Sequence, residues 1–411
     1  PHGQRGPLSM QPAVRHYAIV TAAYWGFTLT DGALRMLVLL HFYQLGYSPF
    51  TLAFLFLLYE AAGILANLVG GWLGARIGLN RTMNIGLAMQ VIALSMLLVP
   101  AAWLTVPWVM AAQALSGIAK DLNKMSAKSS IKLLVPQDSQ SKLYQWVAVL
   151  TGSKNALKGV GFFIGGFLLT QIGFQGAVAA MAGALALVWL LSLVLLKKDL
   201  GKSSYKPKFK DMLSKSGPIN LLSAARLFLF GARDLWFVIA LPLFLAQQLA
   251  WSQQAIGTFL ALWIIGYGLV QSLAPFITGK KAGKVPGRWA AVGWAFALCL
   301  IPALLAKLLP LPFPTETLLV SVLLLFGAVF AVNSSLHSYL IVSYAKTDGV
   351  SLDVGFYYMA NAMGRLIGTV LSGYLYQTQG LEACLFWSSG FILATVLLSC
   401  FLPKAKSQQS N

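Results

Sequence analysis

Nine of the chain's 30 basic residues lie inside runs that are otherwise apolar: Arg35, Lys120, Lys124, Lys128, Lys154, Lys158, Arg226, Arg233 and Arg365. Asp31, Glu60, Asp121 and Asp234 oppose them there, leaving a formal excess of five positive charges. A charged side chain at a bilayer centre costs at least ~2.5 kcal/mol, so such residues must face a polar cavity or one another. A cavity with this excess attracts an anion. Arginine forks suit oxyanions that accept two hydrogen bonds side by side, and lysines add point charges. Other chemistry is not signalled. Cys299, Cys384 and Cys400 are isolated, and no phosphate-binding glycine loop, HExxH or catalytic GxSxG is present. Neither a thiol metal site, nor ATP hydrolysis, nor a cofactor is expected.

The elements that must position these charges are apolar spans. The chain of 411 residues is 58% hydrophobic and 10% charged, against ~25% charged in a soluble domain. A net charge of +19 could suggest nucleic acid, but the cations are dispersed between apolar runs and no nucleic-acid module appears, so no nucleic-acid partner is expected. Runs of the roughly 20 residues needed to cross a bilayer occur twelve times, at about 17–43, 50–74, 83–103, 106–128, 144–171, 176–196, 219–246, 254–279, 288–308, 317–343, 354–377 and 382–402. Alternate connections carry Arg5 and Arg15; Arg76 and Arg81; Lys132 and Lys142; Lys197 through Lys215; Lys280, Lys281, Lys284 and Arg288; Lys346; and Lys404 with Lys406. The others carry Lys307 alone. The positive-inside rule then places both termini in the cytoplasm.

This predicts an all-α polytopic membrane protein: a cytoplasmic tail at 1–16, a six-helix bundle at 17–196, a basic cytoplasmic linker at 197–217, a second bundle at 218–402 and a tail at 403–411. The linker reads as solvated chain, with attraction to anionic lipid as the alternative. The opening PHGQRGPLS precedes Met10 and is read as upstream sequence outside the fold. Internal similarity supports two halves. YSPFTLAFLFLLYEAAG from Tyr47 resembles WSQQAIGTFLALWIIGYG from Trp251, and KGVGFFIGGFLL from Lys158 aligns with RLIGTVLSGYLY from Arg365. Two parallel six-helix repeats match the major facilitator architecture.

Between spans two and three, GGWLGARIGLNR resembles the major facilitator loop through Gly71, Leu73, Arg76 and Gly78, with Arg81 beside it. These form a candidate gating loop; Ala75 stands where the family usually carries an aspartate. Gly152, Gly161 and Gly165 keep the first spacings of the superfamily's antiporter motif, although Gly166 replaces its proline; a small-residue packing seam explains them equally. Spans one, two, four, five, seven and eleven hold all thirteen inferred charges, whereas three, six, nine and twelve hold none. The resemblance makes the latter four the peripheral helices.

At 1.5 Å per helical residue, Asp31, Lys158, Arg233, Asp234 and Arg365 fall nearest the midplane, and Lys158 and Arg365 occupy equivalent repeat positions, one cation on each side of an elongated dianion. Asp31 and Arg35 share a helical face; either they form a structural pair or an incoming anion competes with Asp31 for Arg35. Arg233 and Asp234 are adjacent, point about 100° apart and are expected to seek other partners. Lys120, Lys124 and Lys128 run in one stripe bordered by Asp121 and Asn123, an entry ramp, with snorkelling to the interface as the plainer reading of Lys128. Lys154 and Lys158 repeat the spacing on span five. Glu60 and His337 are titratable candidates for coupling, with structural roles as the alternative. Asn361, four residues before Arg365, completes the candidate binding residues.

YWGFTLTDGALRMLVLLHF, GGWLGARIGLNRTMNIGLA, ALSGIAKDLNKMSAKSSIKLLVP, LTGSKNALKGVGFF and LSAARLFLFGARDLWFVIALP closely resemble the organoarsenical efflux permeases of the major facilitator superfamily, over residues 12–402. That resemblance implies export of 1-arseno-3-phosphoglycerate, which a glyceraldehyde-3-phosphate dehydrogenase partner forms from arsenate, across a bacterial inner membrane. Arg35, Lys120, Lys124, Lys154, Lys158, Arg233, Arg365, Asn123 and Asn361 would bind it, with Asp31, Glu60, Asp121, Asp234 or His337 as counter-ions or coupling groups. An organic-phosphate or phosphate exchanger would use the same cavity.

Overall fold

A computed structural model describes residues 5–47, 49–196, 200–213, 215–279 and 286–404, with side chains described outside 5–11, 49–57 and 253. Lys197, Lys280, Lys281, Lys284 and Lys406 of the expected basic connections lie outside the described residues, as does the side chain of Arg5. The described chain is helical, without a strand: α1 (Arg5–Gln44), α2 (Pro49–Ile77), α3 (Leu79–Met96), α4 (Val106–Leu134), α5 (Gln140–Leu195), α6 (Gly217–Phe237), α7 (Ala240–Gln247), α8 (Gln253–Ile277), α9 (Arg288–Leu308), α10 (Thr315–Tyr344), α11 (Val350–Gln379) and α12 (Leu381–Ser399). Helices are what apolar runs must form in hydrocarbon, because each backbone N–H and C=O is then satisfied within its own segment. Among the described residues, six stretches are long and apolar enough to cross a membrane by length and composition alone: Gln140–Leu195, Gly217–Gln247, Gln254–Ile277, Arg288–Leu308, Thr315–Tyr344 and Leu381–Ser399. α4 is not among them, because it carries Lys120, Asp121, Lys124, Lys128 and Lys132 along its second half. Leu65, Phe167, Leu187, Val194, Leu262 and Leu324 point outward, as lipid-facing side chains do.

Three boundaries differ from expectation, each for a local reason. The first helix begins at Arg5, so part of the opening segment is continuous with span one. Spans five and six lack a connecting loop: α5 runs through both, reversing at Gly173 with φ 75° and ψ 176°. Span seven is divided after Phe237, and the Ala240 N–H donates to Ser372 Oγ at 3.1 Å. The repeat predicted from sequence is visible in the backbone. Gly380, with φ 88° and ψ −177°, joins α11 to α12 as Gly173 joins spans five and six. The two glycines are 207 positions apart, the same offset that separates Lys158 from Arg365. Only glycine enters this region without a Cβ penalty, so one residue suffices for the turn.

The described residues of Pro1–Ser139, Leu157–Ser214 and Ala345–Phe356 form one compact unit, and those of Gln140–Ala156, Lys215–Tyr344 and Tyr357–Asn411 a second. In the first, α4 packs against α2, α3 and α1. Span five lies on α1 through a glycine seam: a Cβ on Gly32 would sit 2.5 Å from the Lys158 carbonyl oxygen, and one on Gly161 would sit 2.8 Å from that of Leu29. Gly165 meets the Ala33 carbonyl in the same way. In the second unit α12 packs on α9 and α6, and α10 on α8, around Trp236, Phe237, Trp263, Phe326 and Phe330. The start of α5 belongs to that unit, where Gly152 meets Gly268 of α8 and Asn155 Nδ2 donates to Gln271 Oε1 at 2.6 Å.

The described part of the linker, residues 200–213, is largely exposed yet pinned. Leu79 N–H donates to the Leu200 carbonyl at 2.6 Å and Ser203 N–H to that of Ala75 at 2.7 Å. Trp72 stacks on Phe209 with centroids 4.6 Å apart, and its Nε1 donates to the Pro207 carbonyl at 2.9 Å. On the other side Asp348, between α10 and α11, accepts from Ser204 N–H at 2.9 Å and from Ser204 Oγ at 2.5 Å. These bonds hold the Asp348 carboxyl below its ordinary value of 3.8. A depressed carboxylate contributes stability that is present above its ordinary pKa and lost as pH falls through the folded one.

Two outcomes follow from this packing. Gly161→Val should lower the melting temperature and the yield of folded protein, at a cost of about 1–3 kcal/mol for overpacking, whereas Gly183→Ala, with open space around it, should lower neither; thermal unfolding in detergent checks both. Asp348→Asn should speed tryptic cleavage after Lys202, Lys208 and Lys210 several-fold at neutral pH, read by gel against wild type; equal rates would mean the linker is not held there.

Candidate anion-binding clusters

In the first unit the charges gather on Tyr59. Its hydroxyl donates to both carboxylate oxygens of Asp31 at 3.1 Å, and its ring carries Lys120 Nζ at 4.1 Å and the Arg35 guanidinium at 6.0 Å. The approach depends on Gly117, one turn before Lys120, where a Cβ would stand 2.7 Å from the Tyr59 carbonyl oxygen. Arg35 Nη1 lies 3.8 Å from Glu60 Oε1, and Lys124 Nζ lies 3.4 Å from Asp121 Oδ1. Asp31 thus holds a phenol and Arg35 meets an acid of α2, a wider network than a single Asp31–Arg35 pair. Asn123 turns its Nδ2 back to the Ala119 carbonyl at 2.8 Å, while its Oδ1 and Asp121 Oδ2 are buried without a hydrogen-bond partner. Lys128 is 3% exposed, so it is enclosed by protein rather than reaching an interface. Lys158 is half-buried on span five.

In the second unit Asp234, 2% exposed, accepts from two arginines: Arg233 Nε at 2.9 Å on Oδ1 and Arg365 Nε at 3.3 Å on Oδ2. The adjacent Arg233 and Asp234 do pair, contrary to expectation, because the long arginine chain folds back across the divergence of their Cβ directions. Gly368, on α11 one turn beyond Arg365, lets that helix close on α6: a Cβ there would sit 2.5 Å from the Gly231 carbonyl oxygen and 3.1 Å from Asp234 Cβ. Asn361 Oδ1 accepts from Arg226 Nε at 2.8 Å. Lys154 Nζ lies 3.4 Å from Asn155 Oδ1. His337 is buried on α10 with neither ring nitrogen hydrogen-bonded.

The loop residues serve the linker and α11. The Gly71 carbonyl accepts from Ser351 Oγ at 2.6 Å, Gly78 starts α3 with φ 104°, and Arg76 stacks over Trp72 at 5.1 Å while donating to the Pro207 carbonyl at 3.4 Å. Arg81 is exposed. Two contributors escaped the sequence reading of the site. Tyr59 carries no charge and so no signal. Arg226 counted among the charges but not among the binding candidates, although Arg226, Phe230 and Arg233 stand at i, i+4 and i+7, one helical face.

A sequence profile of the Major Facilitator Superfamily matches residues 19–240 and 222–411. No curated protein matches the chain. Among solved structures, the human organic anion transporter TETRAN is similar at 18% identity and TM-score 0.73, over 94% of this chain and 99% of that one. A bacterial homologue of the iron transporter ferroportin is similar at 14% identity and TM-score 0.69, over 93% and 98%. The fucose:proton symporter of E. coli follows at 12% identity and TM-score 0.70, over 95% and 98%.

Removing one partner of a buried ion pair costs 3–5 kcal/mol, and partial exposure lowers that. Asp234→Asn should therefore destabilise the protein by roughly 2 kcal/mol, and adding Arg365→Gln should restore part of the loss. Thermal unfolding of the single and double variants checks this; an unaltered single variant would mean that solvent already compensates both arginines.

Proposed function

This chain belongs to the Major Facilitator Superfamily and is a secondary transporter, not an enzyme, and on that premise we propose that it exports the organoarsenical 1-arseno-3-phosphoglycerate and so confers resistance to arsenate. The setting is a bacterial inner membrane with both termini cytoplasmic. Glyceraldehyde-3-phosphate dehydrogenase, acting on arsenate in place of phosphate, supplies the substrate. The observation that carries the reading is the excess of enclosed positive charge: in the second unit Arg233 and Arg365 share the one carboxylate of Asp234, and the buried Arg226 is held by neutral partners, with no carboxylate within ion-pair distance among the described residues. Such a cluster is completed by a multiply charged anion. The arsenyl identity is supported by the sequence resemblance, and the same fold serves organic anions in the human transporter.

The contacts within each unit support the following steps. Lys120 and Lys124 raise the local concentration of anion. A phosphoryl or arsenyl group offers Arg233 and Arg365 more charge-assisted bonds than Asp234 does, and displaces it. Asp234 re-pairs with the arginines when the anion leaves, acting as an internal counter-ion that prevents tight trapping, and Asp31 with Tyr59 offers the same service to the cations of the first unit. Alternating access converts this exchange into export.

Inside-out vesicles supplied with the dehydrogenase, glyceraldehyde-3-phosphate, NAD and labelled arsenate should accumulate arsenic only with the complete mixture, and Arg365→Gln should reduce the rate at least about tenfold, the value of one charge-assisted contact. Accumulation from arsenate alone would make the inorganic oxyanion the substrate. Counter-transport of 3-phosphoglycerate without arsenic would point to an organic-phosphate exchanger.

A further inference from the structure

Arg226 differs from every other cation described in the second unit. It is 3% exposed, yet among the described residues no carboxylate lies within ion-pair distance. Its Nε donates to Asn361 Oδ1 at 2.8 Å, and Nη1 donates to Ser334 Oγ at 3.3 Å and to the Ser334 carbonyl at 3.4 Å. Aromatic faces supply the rest: the guanidinium carbon lies 3.8 Å from the Phe230 ring centre and 5.2 Å from that of Tyr357. These neutral partners orient the fork without cancelling its charge, and Nη2 keeps its two N–H groups.

Two further groups beside it are incomplete. Tyr357, one turn before Asn361 on α11, is fully buried with its hydroxyl unbonded. His337, three residues after Ser334 on α10 and so on the same helical face, has two unbonded ring nitrogens at 1% exposure. Buried polar groups are ordinarily satisfied. Here a cation, a phenol and an imidazole on three helices are all left with hydrogen-bonding capacity to spare, and among the described residues no carboxylate competes for it.

We propose that Arg226, Tyr357 and His337 form the seat for the tetrahedral oxyanion group of the substrate. This rests on the anion-export reading above and refines it. Three donors on three helices match a phosphoryl or arsenyl group, which presents three terminal oxygens; a carboxylate presents two. Phe230 separates this inner seat from the outer pair, because the same ring also carries the Arg233 guanidinium at 4.7 Å. Arg233 and Arg365, partly exposed and shared with Asp234, capture and release. Arg226, with no carboxylate partner among the described residues, sets affinity and selects the tetrahedral group.

The full-length protein in lipid nanodiscs, titrated with inorganic phosphate, inorganic arsenate, 3-phosphoglycerate and glycerate and followed by thermal stabilisation, tests this. The three tetrahedral oxyanions should stabilise wild type and glycerate should not. Tyr357→Phe, which removes one oxygen and leaves the packing, and Arg226→Lys, which keeps the charge and removes the fork, should each weaken 3-phosphoglycerate about tenfold. Affinities unchanged in both variants, with Arg365→Gln losing binding, would overturn the inner seat and leave the export reading standing. Glycerate binding as well as 3-phosphoglycerate would also overturn the seat. Wild type indifferent to all three tetrahedral oxyanions would overturn both.

Discussion

A positive charge carried into an apolar helix bundle has to be answered, and most of what is distinctive in this protein follows from how it is answered. Water is excluded, Coulombic terms are strong, and an uncompensated ion costs several kcal/mol. The chain answers with aromatic faces, as Tyr59 does for Lys120 and Arg35; with neutral oxygens, as Asn361 and Ser334 do for Arg226; and with one acid spread over two arginines, as at Asp234. All three stop short of full neutralisation. Each also demands that helices come very close, which explains why the small residues Gly117 and Gly368 sit one turn from the charges they help to place.

The fold was legible because its signals are physical lengths and periods. Apolar runs of membrane-crossing length and the offset between Lys158 and Arg365 both survive translation into a helical architecture with a visible repeat. The candidate site was legible as a set of charges and not as a geometry. Sequence spacing tells which residues share a face of one helix; it does not tell which partner another helix will bring. Asp31 could be seen to face Arg35, but not that Tyr59 would hold the acid. Arg233 and Asp234 could be seen to diverge at Cβ, but not that the guanidinium would return. The burial of Arg226 had no sequence signal beyond the apolar company that all these cations keep.

The linker illustrates the same limit from the other side. Its composition is that of solvated chain, and its described part is largely exposed. Yet its backbone docks on the turn after α2 and its Ser204 on Asp348. Ala75 stands where the family loop usually carries an acid, and its carbonyl is occupied by the linker instead.

The two single-residue reversals have a consequence for how the protein is made. Between spans five and six, and again between α11 and α12, the chain turns on Gly173 and Gly380 with no polar loop to spare. A segment with no loop cannot be threaded across a membrane independently of its neighbour, because the reversal itself would be dragged through hydrocarbon with its backbone groups unpaired. Each pair must therefore enter the bilayer together as a helical hairpin.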